Sequence, residues 1–138
     1  MKFKQSWENM DIFRGIDLLD SYVTSWELAK DQLSIQLDIS IWPESALYTE
    51  RRTHEYTCYK SSRLVFTKFS DIKGLIPIEN TKPAIDANGE FDYGNIEYFT
   101  RTEKEFEIHG EFGQVLIFGG EFRFEMDSQS DTGKQRKR

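Results

Sequence analysis

The sequence predicts an all-β protein, either an antiparallel sandwich or a meander-like barrel of about eight strands, with one short N-terminal helix. Aliphatic residues occupy every second position from Leu33 to Ile41, so five apolar side chains share one face of an extended strand. Residues 22–28 alternate in the same way just upstream, which predicts a long antiparallel hairpin. After residue 95, glycines separate several short alternating runs, as in a meander of strands.

The short helix is predicted over residues 6–13. Phe3, Trp7 and Met10 are four and three residues apart, which is the spacing of one helical face. Ser6 can cap the helix at its N terminus, and a glycine just past its end can stop it. The apolar face of this helix would lie against the sheet.

The first strand of the hairpin is expected to begin near residue 16, and a proline at position 43 ends the second strand. Residues 44–53 are polar and without a pattern, which predicts a loop. Residues 79–92 form a second long connection, of a kind that is often functional or mobile. The remaining strands are predicted at residues 56–59, 63–69, 96–102, 105–109, 114–118 and 121–126, with a turn and a short edge strand over residues 71–77.

Residues 1–126 are predicted to form a single domain, because this length is close to that of a typical domain and can bury a core. Residues 127–138 have no apolar side chain to bury and are predicted to be a disordered basic tail. The formal net charge of the whole chain is -6. Because the tail holds four basic and two acidic residues, the other 126 residues carry 14 basic and 22 acidic side chains.

The acidic body limits the classes of partner. It repels phosphate backbones, which disfavours nucleic acid and favours a basic protein partner. No run of residues approaches the roughly 18 apolar positions of a membrane-spanning helix, so no membrane partner is expected. Cys58 is the single cysteine, which excludes an internal disulfide, and the N terminus lacks the apolar core of a signal peptide. We therefore expect a cytoplasmic protein.

No arrangement of residues in the sequence predicts catalysis. A nucleophile needs a base within hydrogen-bonding distance, and the only histidines are His54 and His109. His54 and Cys58 are four residues apart, which separates them by about 13 Å within one strand. Cys58 is therefore expected to be a buried, inert thiol.

The sequence predicts no metal or cofactor site either. Residues 86–92 resemble a calcium-binding loop, but aligning Gly89 with the glycine of an EF-hand places Ala84 and Asn95 at two positions that need carboxylates. Three glutamates at positions 103, 105 and 107 are predicted to lie on the outward face of a strand, where solvent surrounds them.

Aromatic and basic residues gather around the end of the first hairpin and the loop that follows. If the odd-numbered aliphatics of residues 33–41 face the core, Trp42 lies on the opposite, more polar face. An exposed tryptophan among tyrosines and arginines is typical of a protein-binding hot spot, and the alternative is a second sheet packed over that face. The residues predicted to bind a partner are Trp42, Tyr48, Arg51, Arg52 and Tyr56, with Trp26, His54 and Tyr59 nearby.

The start of the hairpin carries a resemblance to known proteins. Leu19-Asp20-Ser21-Tyr22-Val23 resembles the opening of several small uncharacterised bacterial β-proteins, in which an apolar-Asp-small-x-apolar step leads into the first hairpin. Some of those families resemble immunity proteins, which bind and neutralise a toxin made by the same cell or its neighbours. The likeness covers residues 1–40, and Leu19 stands where those relatives often carry histidine.

This resemblance implies a binding role, since an acidic body suits a basic nuclease toxin, but it transfers no functional residue. The leading hypothesis is therefore a non-enzymatic protein-binding module of the immunity type. The alternative is a small-molecule carrier, a barrel that binds an apolar ligand between its interior aromatic side chains. An enzyme that uses Cys58 or His109 ranks third.

Overall fold

The computed structural model describes residues 3–49, 58–85, 87 and 89–127. Two open antiparallel sheets face each other across one apolar core. The predicted antiparallel all-β class is confirmed. The sheets are not closed, so the architecture is a sandwich with meander connections and the barrel alternative is wrong.

The described residues form eleven strands. In chain order these are β1 (Lys4–Ser6), β2 (Ile16–Ala29), β3 (Gln32–Ile41), β4 (Cys58–Thr67), β5 (Asp71–Lys73), β6 (Ala84–Ile85), β7 (Phe91–Asp92), β8 (Tyr98–Thr102), β9 (Glu105–Gly110), β10 (Gly113–Phe118) and β11 (Glu121–Met126). Sheet A has the order β1-β8-β9-β10-β5, and sheet B has the order β11-β4-β3-β2. The short strands β6 and β7 pair only with each other among the described residues.

The predicted helix over residues 6–13 is wrong. Two 3-10 turns, Trp7–Asn9 and Asp11–Phe13, stand in its place. A spacing of three residues suits the three residues per turn of a 3-10 helix, so the same apolar pattern serves either structure. The turns still deliver their apolar side chains to the core, where Trp7, Met10 and Phe13 are buried.

The two strands predicted at residues 56–59 and 63–69 are one continuous strand, β4, over the residues that the structure describes. Two adjacent serines suggested a break between them. Ser62 is instead fully buried in the ladder, and its hydroxyl donates to the Leu37 carbonyl at 3.3 Å. A buried hydroxyl with a backbone partner is tolerated inside a sheet.

The connection between β4 and β8 also differs from its prediction. The edge strand lies at Asp71–Lys73, whereas residues 74–77, which were predicted to carry it, lie outside the ladder. The predicted irregular connection, residues 79–92, contains the end of a 3-10 turn (Ile78–Asn80) and the small β6–β7 ladder. Of the predicted tail, only Asp127 is among the described residues. Its N–H donates to the Ser61 carbonyl at 3.0 Å.

The core has the composition that the alternation predicts. Leu33, Ile35, Leu37, Ile39 and Ile41 of β3 are all fully buried. Sheet A covers them with its own inward residues, which are Phe99, Phe106, Ile108, Val115 and Ile117. At the side of the sandwich, the Phe13 ring packs within 6.3 Å of the Phe99, Phe122 and Phe124 rings, so the N-terminal turns close the core.

A β-bulge in β2 gives Ser21 a structural role. The register between β2 and β3 shifts between Asp17 and Tyr22. The buried hydroxyl of Ser21 accepts the N–H of Ser40 at 2.9 Å and donates to the Asp17 carbonyl at 2.7 Å. The Asp17 carboxylate accepts the N–H of Leu19 at 3.1 Å. These bonds hold the extra residues of the bulge in place.

Ser21→Ala will therefore lower the free energy of unfolding by about 1–3 kcal/mol, because the buried N–H of Ser40 loses its acceptor. Urea denaturation followed by circular dichroism measures this loss. The matched control is Ser34→Ala, a half-exposed position on the outer side of β3, with an expected change below about 0.5 kcal/mol. Equal losses in the two variants would show that Ser21 does not organise the bulge.

Candidate functional site

The outer side of sheet B combines aromatic rings with carboxylates at one end. The register places Tyr22 opposite Asp38 and Tyr59 opposite Ser40. Residues that face each other across an antiparallel ladder point to the same side of the sheet. The Tyr22 and Tyr59 rings meet edge to face, with 5.5 Å between their centroids. The two tyrosines thus form one aromatic unit beside a carboxylate.

Trp42 lies on the same side of sheet B as this aromatic unit. Its N–H donates to the Gly15 carbonyl at 2.8 Å, so the β2–β3 ladder continues one residue beyond Ile41. Because Trp42 follows Ser40 by two positions, the alternation of the strand places it on the outer side of sheet B. The side chain is 44% exposed, and sheet A packs against the other side of β3. We call the surface formed by Tyr22, Asp38, Trp42 and Tyr59 the Trp42 face.

The chain turns back on itself directly after Trp42. The N–H of Ser45 donates to the Trp42 carbonyl at 3.0 Å, and the N–H of Tyr48 donates to the Ser45 carbonyl at 3.1 Å. Tyr48 is half-buried and packs against the core, whereas Leu47 is 36% exposed. Tyr48 therefore anchors the turn, and Trp42 and Leu47 are the large apolar side chains that the turn exposes to solvent.

The structure brings together only part of the predicted set. Arg51, Arg52 and Tyr56, and also His54, lie outside the described residues. Trp26 lies far from Trp42, because it pairs with Ile35 near the other end of the hairpin. Trp26 is 5% exposed, and its indole N–H donates to the Ile76 carbonyl at 2.9 Å. Trp26 is therefore close to the other aromatic residues in the sequence but not in the structure.

Two members of the Trp42 face escaped the sequence analysis, Tyr22 and Asp38. Asp38 lies on the polar side of its strand in the sequence, whereas Tyr22 shares the alternation of Trp26 and Leu28, which predicts the apolar side. Their pairing depends on the bulge at Ser21, which moves the register of β2 by several residues. No spacing rule in the sequence reports such a shift.

Towards β11, the same side of sheet B carries its basic residues in ion pairs. Arg63 Nη2 lies 2.9 Å from Glu125 Oε1, and Arg123 also hydrogen-bonds this carboxylate. The Arg123 guanidinium, with help from Arg63, holds the pKa of Glu125 below its ordinary value. These two positive charges are therefore partly neutralised within the protein.

A second polar cluster lies on the outer side of sheet A. The Tyr98 and His109 rings are 4.7 Å apart, and His109 Nε2 lies 2.7 Å from Glu107 Oε2. Hydrogen bonds from Thr100 and Lys4 lower the pKa of Tyr98, and the Tyr98 hydroxyl raises that of Lys4. This cluster ties the edge strand β1 to β8.

The two residues that an enzyme would use do not meet. Cys58 is a free, buried thiol on the core side of sheet B, and its described contact is Thr49 Oγ1 at 3.9 Å. His109 lies on the outer side of sheet A. The filled core separates them, so the thiol and the imidazole cannot form a nucleophile and base pair.

Comparisons with known proteins found no match for the chain. No family model, curated protein or solved structure matches it. The resemblance of the hairpin to immunity proteins therefore stays a prediction. Within the ranges that the structure describes, no group of three His, Cys, Asp or Glu side chains could hold a metal ion. No helix in those ranges has the length and apolar character to cross a bilayer.

Proposed function

We propose that this protein is a non-enzymatic binding module whose Trp42 face contacts a basic protein partner, in the manner of an immunity protein. The observation that carries the proposal is the exposure of Trp42, at 44%, on the outer side of a hydrogen-bonded ladder. Tryptophan and tyrosine are enriched among the residues that supply most of the energy at protein interfaces. Trp42 and the Tyr22–Tyr59 pair offer both types within one face.

The charge of the body favours a basic partner. Residues 1–126 carry more acidic than basic side chains, and on sheet B the arginines of β4 and β11 are engaged by Glu125. An acidic surface accelerates the encounter with a basic protein, and added salt slows it. The carrier alternative required a closed barrel and draws no support from the open sheets.

Site-specific photocrosslinking tests the proposed face. A photoreactive phenylalanine analogue replaces Trp42 in cells that naturally produce the protein. We expect one dominant crosslinked protein, and its amino-acid sequence should be basic. The control places the analogue at Gln114, an exposed position on the outer side of sheet A, where we expect no such product. The same product from both positions would place the contact elsewhere.

The crosslinked protein is then purified and its affinity measured by surface plasmon resonance. Trp42→Ala will weaken binding by about 2 kcal/mol, or roughly 30-fold in Kd, because an interface anchor is removed. The association rate with the unmodified protein will fall as salt is raised from low to physiological concentration. Unchanged affinity in Trp42→Ala would contradict the proposed face, and a salt-independent association rate would contradict the electrostatic part.

A further inference from the structure

A second apolar patch lies at the turn end of the β2–β3 hairpin, opposite to the Trp42 end. It consists of Leu28, Ile76, Ile85 and Phe91, whose exposed fractions are 43%, 37%, 65% and 52%. Isolated exposed apolar side chains are common on soluble proteins, but several together mark an interaction site. We call these four residues the hairpin-end patch.

The four side chains are connected through Trp26. Ile85 pairs with Phe91 in the β6–β7 ladder, and the Phe91 ring lies 6.2 Å from the Tyr93 ring. Tyr93 in turn lies 5.0 Å from Trp26, whose indole N–H donates to the Ile76 carbonyl. Leu28 follows Trp26 by two positions and so lies on the same side of β2. The patch therefore surrounds one buried tryptophan.

The patch has a fixed base. The Tyr93 N–H donates to the Val23 carbonyl at 2.9 Å, and the Val23 N–H donates to the Gly94 carbonyl at 2.7 Å. These bonds hold the chain that follows β7 against the edge of sheet B. The Trp26 ring also contacts the Phe112 ring, at 5.9 Å between centroids, and Phe112 is fully buried. A prearranged apolar surface loses less entropy on binding than a disordered one.

Acidic side chains predominate around the patch. The turn at the tip of the hairpin, the 3-10 turn that packs against β2, and the residues beside Phe91 all contribute carboxylates. The acidic residues in these described segments are Asp31, Glu79, Glu90 and Asp92, and the basic residues in or next to them are Lys30 and Lys82. A second copy of this chain would bring two such acidic rims together, which is unfavourable. A basic partner would be attracted.

We infer that the hairpin-end patch is a docking site for a protein segment that presents apolar side chains flanked by lysine or arginine. The apolar side chains cover the four patch residues, and the flanking cations lie against the acidic rim. The site is distinct from the Trp42 face, because the two lie on opposite sides of sheet B and the ten residues of β3 separate Trp42 from the turn by about 30 Å. The protein thus carries two binding surfaces at opposite ends of one hairpin.

A displayed library of short random peptides, selected on the full-length protein, tests this inference. We expect the enriched peptides to combine apolar residues with lysine or arginine. Their affinity, measured by fluorescence anisotropy with synthetic peptides, will fall at least about tenfold in the double variant Ile85→Ser, Phe91→Ser. The matched control is Phe3→Ser, Ile12→Ser, which changes two side chains that are each 46% exposed elsewhere. This control and Trp42→Ala should bind as the unmodified protein does.

A charge-reversal variant, Asp31→Lys with Glu79→Lys, repeats the test without removing apolar surface, and it too will weaken peptide binding about tenfold. Because the charge-reversal variant keeps the apolar side chains of the patch, it tests the inference even if the serine variant unfolds. Absence of enrichment, enrichment of acidic peptides, or equal binding by the serine variant and its control would overturn the inference. So would sedimentation velocity showing a dimer that Phe91→Ser converts to a monomer, because the patch would then be a self-association surface.

Discussion

Phe66→Ala will lower the free energy of unfolding by about 3–5 kcal/mol, the range for removing a large side chain from a packed core. Phe66 is fully buried on β4, at the centre of sheet B. Its ring lies 5.3 Å from Phe106 and 5.9 Å from Phe99, which both belong to sheet A. It also stacks on Phe122 of the neighbouring strand at 5.8 Å. Alanine removes a ring that joins the two sheets and leaves a cavity.

Urea denaturation measures the loss, and Phe118→Ala is the matched control. Phe118 is half-exposed on the outer side of sheet A, where the Lys73 amine lies 5.7 Å from its ring. The same change there should cost about 1 kcal/mol or less. If both variants lost the same stability, the two sheets would not be joined through Phe66.

Much of this sandwich follows from the sequence because strand alternation is a local signal. The odd-numbered residues of β3 are buried as predicted, and β11 has the bounds predicted for it. The errors arise where tertiary contacts override local pattern. Ser62 sits inside a strand because Leu37 accepts its hydroxyl, and that acceptor is distant in sequence. Trp7 and Met10 are buried as expected, but on 3-10 turns.

The same distinction between local pattern and tertiary contact applies to the two proposed binding surfaces. The exposure of Trp42 follows from the alternation of β3, in which the odd-numbered residues are buried and Trp42 is even-numbered. Asp38 follows from the same alternation, but the place of Tyr22 could not be found, since its register depends on a bulge. The hairpin-end patch could not be predicted either, because Trp26 and Tyr93, which link its parts, meet only through the path of the chain after β5. A local pattern predicts which side a residue faces, but not what lies beside it.

Gly113→Ala is expected to remove about 3 kcal/mol or more of stability, because two backbones cross there without room for a side chain. Gly113 has φ +117°, and a Cβ built on it would lie 2.1 Å from the Gly74 carbonyl oxygen. Gly74 shows the reciprocal approach, with its added Cβ 2.1 Å from the Gln114 oxygen. A left-handed conformation alone costs an L-residue about 1–2 kcal/mol, and the displacement of the backbone adds to it.

Gly89→Ala separates these two contributions. Gly89 has φ +82°, and among the described residues, its chain neighbours aside, no atom lies within 4 Å of an added Cβ, so the conformational cost of about 1–2 kcal/mol applies. The crossing also positions the hairpin-end patch, since the Ile76 N–H donates to Phe112 at 2.8 Å and its carbonyl accepts from Trp26. Hydrogen exchange of the Trp26 indole should therefore accelerate in Gly113→Ala and stay unchanged in Gly89→Ala. Equal stability losses, or equal exchange rates, would show that the crossing does not hold Ile76 against Trp26.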